Sequence, residues 1–252
     1  MSMTWRGDEN QEAKPFLEHL EELRGTLIRC ALALLAALLV AVPIAPRVLR
    51  WLRHPLDRMG TGPGLRVLEV AGAFSIAVQT ILWTAVLVAS PFLLFFILRF
   101  IFPGLKRPEQ RTVIGALGFG LGLFLLGVCM GYFVTLPVAL RVMYRMNLWL
   151  GTEVEFWTVV SYVAFSLRLL LAFGLAFEMP VLILALGHLG LVSAALLRSK
   201  RRYVIVILLV VAMILTPPDV FTQLIMALPL MVLYELCVWL LWIKEKRART
   251  AE

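Results

Sequence analysis

Charged side chains are scarce in this sequence of 252 residues. They make up 16% of it, whereas hydrophobic residues make up 61% and the mean hydropathy is +0.90. Soluble domains carry about 25% charged and about 45–50% apolar residues. The shortage of charge excludes an ordinary soluble domain and predicts an integral membrane protein. The net charge of +8 does not predict nucleic-acid binding, because the basic residues cluster at the ends of apolar runs, where they orient membrane proteins.

Cysteine and histidine are also rare, with three of each. Cys30, Cys129 and Cys237 lie far apart, within or at the edge of apolar runs, and predict no disulfide framework. The histidines lack the spacing of metal ligands, and no H-E-x-x-H, C-x-x-C or G-x-x-x-x-G-K-[ST] motif occurs. We therefore predict no metal, no cofactor, no catalytic residue and no ATP-driven motor.

Six apolar runs follow a polar, partly acidic leader that shows no signal-peptide cleavage site. A membrane-spanning helix needs about 20 mostly apolar residues. The runs predict six helices in one all-α membrane domain, at about residues 26–44, 70–98, 112–140, 156–186, 203–216 and 220–243. Helices five and six are predicted to be short: the 14 residues of the fifth run span only about 21 Å, and Pro229 and Glu235 interrupt the sixth run. Residues 1–13 and 244–252 are expected to be flexible tails.

Prolines, arginines and glycines suggest further detail. Pro43 and Pro46 predict the end of the first helix. Arginines at every third residue from 47 to 53 then predict a short separate helix in the outer interface. In the third run, the pairs Gly118–Gly122 and Gly127–Gly131 have the small-xxx-small spacing of closely packed membrane helices.

The distribution of Lys and Arg predicts the sidedness of the chain. Sixteen lie at the N-terminus, at the C-terminus and in the loops expected on the same side, against seven in the opposite loops. The excess of positive charge marks the cytoplasmic side. Both termini are therefore predicted to be cytoplasmic.

Glu178 is a single carboxylate within the apolar stretch 169–185. A charge at membrane depth costs on the order of 2.5–3.5 kcal/mol and is usually functional. Two interpretations stay open: a polar group in a functional bundle interior, or a hydrogen-bonded glutamate that only holds helices together. Arg168 lies about 15 Å away along a helix and is not its intrahelical partner.

Acidic residues also precede the first run. The apolar stripe from Phe16 to Leu27 predicts a helix, with Glu18 and Glu22 on one face as a like-charge pair. Spacing alone favours the interpretation that these acidic residues stabilise the positive end of the helix. The alternative is that they form an acidic face that binds a cationic partner. Glu109, among basic loop residues, is either a surface ion pair or an acceptor for guanidinium groups.

Residues 14–243 resemble the TatC family, the polytopic receptor subunit of the twin-arginine protein translocase. The resemblance rests on six short segments in the right order around the six runs: His19-Leu-Glu-Glu-Leu-Arg24, Phe100-Ile-Phe-Pro-Gly-Leu105, Phe177-Glu-Met-Pro180, Arg198-Ser-Lys-Arg-Arg-Tyr203, Thr216-Pro-Pro-Asp219, and Pro229 with Tyr234-Glu235. One departure is that the loop reads Glu109-Gln110-Arg111, where the family often has Glu-Arg-Arg.

The resemblance implies a cupped, glove-like bundle of six helices in a bacterial inner membrane. It implies that the proton gradient drives export of folded proteins and that signal peptides with consecutive arginines dock on the cytoplasmic face. Its partners would be TatA- and TatB-type single-span subunits and further copies of the chain, as a homo-oligomer within a receptor complex.

The resemblance also assigns roles to residues. Glu22 and Glu109 would receive the arginines. Arg24, Phe100 and Pro103 would belong to the same surface, and Glu178 to the membrane cavity. Contacts with partner subunits, or structural roles, fall to Pro55, Pro180, Pro217, Pro218, Asp219 and Gln223, and Asp219 is also expected to cap the sixth helix.

A second hypothesis is a proton-coupled secondary transporter of a small solute that uses Glu178 and Arg168. It predicts an inverted repeat, and the sequence shows none. A membrane-embedded enzyme is less supported, because no nucleophile–base pair or metal set is apparent.

Overall fold

The computed structural model describes residues 9–58, 64–68, 70–101, 110–152, 155–188, 190, 192–215 and 220–250. Its elements are α1 Glu9–Asp57, β1 Gly64–Arg66, α2 Gly72–Ile101, α3 Gln110–Met130, a π-helical turn Gly131–Thr135, α4 Leu136–Trp149, β2 Phe156–Thr158, α5 Val159–Phe177, α6 Met179–His188, α7 Ala194–Leu215 and α8 Val220–Thr250. The all-α class predicted from the apolar runs is confirmed.

Five helical segments of the described chain are long and apolar enough to cross a membrane. They are Leu20–Asp57, Gly72–Ile97, Gly118–Trp149, Val159–Leu184 and Ala227–Lys246. Helix α7 is not among them, because four basic residues between 198 and 202 occupy its first turns. The fifth predicted run is thus the apolar remainder of a longer, partly basic helix.

Helix α1 is continuous over 49 residues, which corrects the predicted division at Pro43 and Pro46. The arginine-bearing segment 47–53, expected as a separate interfacial helix, is part of α1. A proline has no N–H, so it leaves the carbonyl four residues earlier without a helical donor. For Pro55 that carbonyl belongs to Trp51, and the hydroxyl of Tyr132 donates to it over 2.7 Å. Membrane helices tolerate proline where side chains satisfy the freed group in this way.

Helix α2 also contains a proline, and a side chain again satisfies the carbonyl that the proline leaves without a donor. Pro91 lies inside the helix and leaves the carbonyl of Leu87 without its usual donor. The hydroxyl of Ser90 donates to that carbonyl over 2.8 Å. The helix therefore remains continuous from Gly72 to Ile101.

The third predicted run, 112–140, is longer in the structure and contains a change of helical pitch. Pro137 cannot donate to the carbonyl of Phe133, and the turn just before it is π-helical. There the N–H of Leu136 donates to the carbonyl of Gly131, five residues back. A single π-turn of this kind inserts one extra residue without ending the helix.

Helix α5 lies at the centre of the fold. It packs against α2 and α3 and also contacts α1, α7 and α8. Its side chains Val163, Leu169 and Phe173 are completely buried, as expected for a mostly apolar helix that is surrounded by other helices. The glutamate at its C-terminal end is consequently held in the interior of the bundle.

The two ends of the chain are more helical than predicted. Helix α8 continues to Thr250, beyond the predicted end at residue 243, and α1 begins at Glu9. At the opposite end of the bundle from these termini, β1 and β2 form a parallel pair with Gly64 opposite Phe156. The guanidinium of Arg66 lies 4.9 Å from the centre of the Phe156 ring.

Candidate functional site

Glu178 lies at a break between α5 and α6, where the sequence predicted one helix over residues 156–186. The break follows from Pro180, which lacks an N–H and so cannot donate to the carbonyl of Ala176, four residues earlier. The N–H of Glu178 turns back to the carbonyls of Leu175 and Ala176, and its own carbonyl accepts from the N–H of Leu182 at 3.1 Å. The carboxylate therefore projects from a chain bend and not from a regular helix.

The side chain of Glu178 is buried, with 5% of its surface exposed. It lies against Gly120 of α3, where a β-carbon would stand only 3.0 Å from Oε2 of Glu178 and 3.4 Å from Oε1. The absence of a side chain at residue 120 thus provides the space for the carboxylate. The site is the pair formed by a bend in one helix and a glycine in its neighbour.

Two further glycines continue this contact between α3 and α5. A β-carbon on Gly127 would lie 2.8 Å from Cβ of Phe177, and one on Gly131 would lie 3.2 Å from Cβ of Phe173. The predicted close packing is confirmed for this pair. Gly118 and Gly122 differ from the prediction, because nothing lies within 4 Å of a β-carbon at either position.

Sequence reasoning did not single out Gly120. The available signal was its seven-residue spacing from Gly127, about two helical turns, which puts both glycines on one face. The four-residue motif drew attention to Gly118 and Gly122, on a different face. Spacing alone does not show which face of an apolar helix meets its neighbour.

Buried hydroxyls add polarity to the same interior. Thr135 and Ser166 are buried on the π-helical turn and α5, and Thr84 is buried on α2. Within the described chain, the hydroxyls of Thr84 and Thr135 have no hydrogen-bond partner. Sequence reasoning missed these buried hydroxyls.

Arg168 does not neutralise Glu178. Its guanidinium lies 5.3 Å from the centre of the Trp83 ring on α2. In the part of the chain that the structure describes, the salt bridge present joins Arg201 of α7 to Glu235 of α8, at 2.7 Å. The transporter hypothesis, which paired Glu178 with Arg168 as functional groups, gains no support from this geometry.

A second group of predicted residues lies near the start of α1. Glu22 and Arg24 are exposed there, as is the neighbouring Glu21. The backbone carbonyl of Glu22 accepts a hydrogen bond from the hydroxyl of Thr26 at 2.9 Å. This bond does not involve the carboxylate of Glu22. Glu22 is accessible to a partner in solution.

Phe100 lies in the last turn of α2 and is half-buried. Ala37 and Ala41 of α1 pack with Ala85 and Ala89 of α2. The two helices are antiparallel. Phe100 lies about eleven residues after Ala89 in α2, and Thr26 lies about eleven residues before Ala37 in α1, so Phe100 and Thr26 are at the same level. Glu22 is one helical turn from Thr26. Glu109 and Pro103, predicted to complete this surface, lie outside the described residues.

The remaining predicted residues have structural surroundings. Pro55 and Pro180 are buried. The amide of Gln223 donates to the carbonyl of Leu209 at 2.9 Å and ties the start of α8 to α7. Pro217, Pro218 and Asp219 lie outside the described residues, so their predicted roles stay predictions.

Comparison with known protein families places the chain among translocase proteins. Residues 18–229 match the family model described as TatC, Sec-independent protein translocase protein. The chain is 33% identical to the protein of that name from Escherichia coli K12, over 91% of this chain and 88% of that protein. With the Aquifex aeolicus protein it shares 35% identity, over 90% and 94% of the two chains.

A longer relative and a solved structure agree with these matches. The Sec-independent protein translocase protein TatC of Akkermansia muciniphila is 38% identical over 77% of this chain, and the match spans 57% of that protein's length. A crystal structure described as the twin-arginine translocase receptor TatC superposes with a TM-score of 0.79 at 35% identity. That superposition covers 88% of this chain and 99% of the solved one.

Proposed function

Since this chain belongs to the TatC family of Sec-independent protein translocase proteins, we propose that it is the receptor subunit of a twin-arginine translocase in a bacterial inner membrane. It binds signal peptides that carry paired arginines and supports the export of folded proteins. In this proposal the chain crosses the membrane six times, with α7 as the short fifth span, and both termini are cytoplasmic. Its role is binding and not catalysis.

One observation carries the proposal: the superposition on a translocase receptor covers nearly the whole of both chains. The family model agrees with this, because its match over residues 18–229 includes the positions of Glu22 and Glu178. A local match confined to one apolar helix would carry no such weight, because apolar helices resemble one another for reasons of composition alone.

The first step is docking of the arginine pair at the cytoplasmic end of the bundle. Guanidinium groups bind carboxylates in a bidentate manner, and each arginine of a pair needs its own acceptor. We assign Glu22, which is exposed at the start of α1, as one acceptor and Glu109 as the second. Phe100, Pro103 and Arg24 shape the surface between them.

The second step moves the apolar part of the signal peptide toward the interior near Glu178. The buried carboxylate of Glu178 is the polar group that the spanning segment meets there. TatA- and TatB-type single-span subunits, and further copies of the chain, pack on the outer faces. The outward side of α7 is suitable, because Val206, Ile207 and Val210 are all exposed there. The transmembrane proton gradient supplies the energy.

The docking step is tested by capture of a twin-arginine signal peptide on the purified full-length chain. Glu22→Gln combined with Glu109→Gln removes both acceptors with little change of shape. Hydrogen bonds to charged groups contribute about 1.5–3 kcal/mol each, so the double variant is expected to bind at least about 100-fold more weakly. Glu21→Gln is the matched control, since it removes the neighbouring exposed carboxylate and is expected to leave binding unchanged.

A peptide in which both arginines are replaced by lysine provides the second control. It is expected to bind weakly to the native chain, because an ammonium group cannot form the bidentate pair. Equal capture by the native chain and the Glu22/Glu109 double variant contradicts the docking step.

A further inference from the structure

A cleft lies between the start of α7 and the end of α8, away from the residues used above. It has a volume of about 500 Å³ and is lined by Ala194, Ala195, Arg198, Trp242, Glu245 and Lys246. Its α8 residues are the last ones of the apolar span Ala227–Lys246. The cleft is therefore at the depth where lipid head groups begin.

Two cations share one aromatic ring in this cleft. Cζ of Arg198 lies 5.7 Å from the centre of the Trp242 ring, and Nζ of Lys246 lies 5.3 Å from it. Both distances are within the range of cation–π attraction. Tryptophan is enriched at the boundary between lipid and water, so Trp242 both fixes the two charges and marks their depth.

Among the described residues that line the cleft, the acidic one is Glu245, and it is already engaged. Oε1 of Glu245 accepts a hydrogen bond from the N–H of Ala194 at 2.8 Å, which places its negative charge at the positive end of α7. Arg198 and Lys246 outnumber this carboxylate, so the described lining has a net positive charge. Lys200 and Arg202, exposed in the next turn of α7, add to the positive field.

We propose that this cleft binds the phosphate group of an anionic phospholipid. Basic pockets between membrane helices at the head-group level recognise such lipids. The phosphate meets Arg198 and Lys246, while Ala194, Ala195 and the apolar span of α8 face the less polar part of the molecule. A bound lipid links the first turn of α7 to the last apolar turn of α8.

This link adds to two contacts that already join the same helices. Arg201 bonds to Glu235 at 2.7 Å, and the hydroxyl of Tyr234 donates to the carbonyl of Leu197 at 2.8 Å. Lipid bound in the cleft closes the end of the α7–α8 hairpin that lies beyond these contacts. The hairpin is then more stable in membranes that contain anionic lipid.

The test measures lipid retained on the purified full-length chain by native mass spectrometry, with phosphatidylglycerol and phosphatidylcholine as the two probes. The native chain is expected to retain phosphatidylglycerol preferentially. Arg198→Gln with Lys246→Gln removes two charges and is expected to lower that affinity about 30-fold. Lys200→Gln with Arg202→Gln makes the same change of charge outside the cleft and is expected to lower it less than about threefold.

A third variant distinguishes lipid binding at the cleft from a general effect of the positive charge on α7. Trp242→Leu keeps both cations but removes the ring that positions them, and an intermediate loss of about fivefold is expected. The helix content of every variant is compared by circular dichroism, so that a folding defect is recognised. If the Arg198/Lys246 double variant is misfolded, the loss of lipid affinity in the Trp242 variant tests the proposal. Excess inorganic phosphate is expected not to displace the lipid.

Three results overturn the proposal. They are equal retention of the two lipids by the native chain, an equal loss in the cleft and control double variants, and displacement of the lipid by inorganic phosphate. The last would identify a site for free anions in place of a lipid site.

Discussion

The hydroxyl of Tyr132 donates a hydrogen bond over 2.7 Å to the carbonyl of Trp51, the carbonyl that Pro55 leaves without a helical donor. Tyr162 makes a similar bond to the next carbonyl, of Leu52, at 2.5 Å. These contacts hold the end of α1 against the π-helical turn and α5. They explain how a buried proline is accommodated in the last turn of α1.

The bond from Tyr132 predicts a measurable dependence on Pro55. Tyr132→Phe is expected to lower the free energy of unfolding by about 0.5–1.5 kcal/mol, because the carbonyl of Trp51 loses the donor that replaces the missing N–H of Pro55. In a Pro55→Ala background, the N–H of residue 55 can supply that carbonyl, so the same change is expected to cost less than about 0.5 kcal/mol. Unfolding of the four proteins by SDS titration measures the coupling.

Tyr162→Phe is the matched control for this cycle. The carbonyl of Leu52 has the N–H of Leu56 as its helical donor in α1, so loss of Tyr162 is expected to cost the same with or without Pro55. Equal coupling of both tyrosines to Pro55 would mean that the orphan carbonyl is not the reason for the contact.

The glycines of α3 predict two opposite outcomes for one substitution. A β-carbon on Gly127 would lie 2.8 Å from Cβ of Phe177, so Gly127→Ala is expected to destabilise the chain by about 1–3 kcal/mol through overpacking. Gly122 has open space around it, and Gly122→Ala is expected to be neutral or stabilising by up to about 1 kcal/mol. Thermal unfolding in detergent distinguishes the two, and a larger loss for Gly122→Ala contradicts this packing.

The position of Glu178 predicts a separation of binding from transport. Glu178→Gln keeps the shape of the side chain beside Gly120 but cannot carry charge. If the buried carboxylate acts after docking, the variant is expected to capture a twin-arginine peptide within about twofold of the native chain, while export of a folded reporter protein falls at least about tenfold. Export at the native rate would remove Glu178 from the transport step.

Glu235→Gln serves as the control for that experiment. It neutralises another carboxylate within an apolar span, but one that is half exposed and paired with Arg201. We expect export to change less than about twofold in this variant. An equal loss in both variants would indicate general sensitivity to charge and not a role of the interior site.

The bond between Arg201 and Glu235 reports where this part of α8 lies. Exposed ion pairs in water contribute about 0.2–1 kcal/mol. Glu235 is in the middle of the apolar span Ala227–Lys246, where water is scarce and an unpaired charge is more costly. A double-mutant cycle with Arg201→Gln and Glu235→Gln is therefore expected to give a coupling above about 1 kcal/mol in lipid nanodiscs, and a smaller value would place the pair in water.

Several features were predictable from local pattern. The second and fourth apolar runs, 70–98 and 156–186, agree closely with the spanning segments Gly72–Ile97 and Val159–Leu184. The isolation of Glu178 in an apolar stretch identified the interior carboxylate. The pair Gly127–Gly131 correctly indicated close packing. Each of these depends on composition or spacing over a few turns, which the sequence displays directly.

Other features depended on contacts between distant segments. The sequence suggested that α1 ends at Pro43 or Pro46, since a proline removes a backbone donor. It could not show that Tyr132, 81 residues beyond Trp51, supplies the missing bond at Pro55. Nor could it show that Gly120 and not Gly118 or Gly122 faces α5.

By itself, the sequence determined that this protein resides in a membrane, which residues are apolar enough to cross it, and where its few acidic groups occur. The tertiary structure decided which helices continue, which glycines are in contact and that Glu178 projects from a bend. The reason is that hydrophobicity is a property of each residue, whereas a free carbonyl or an empty space beside a glycine has consequences only through the neighbour that reaches it.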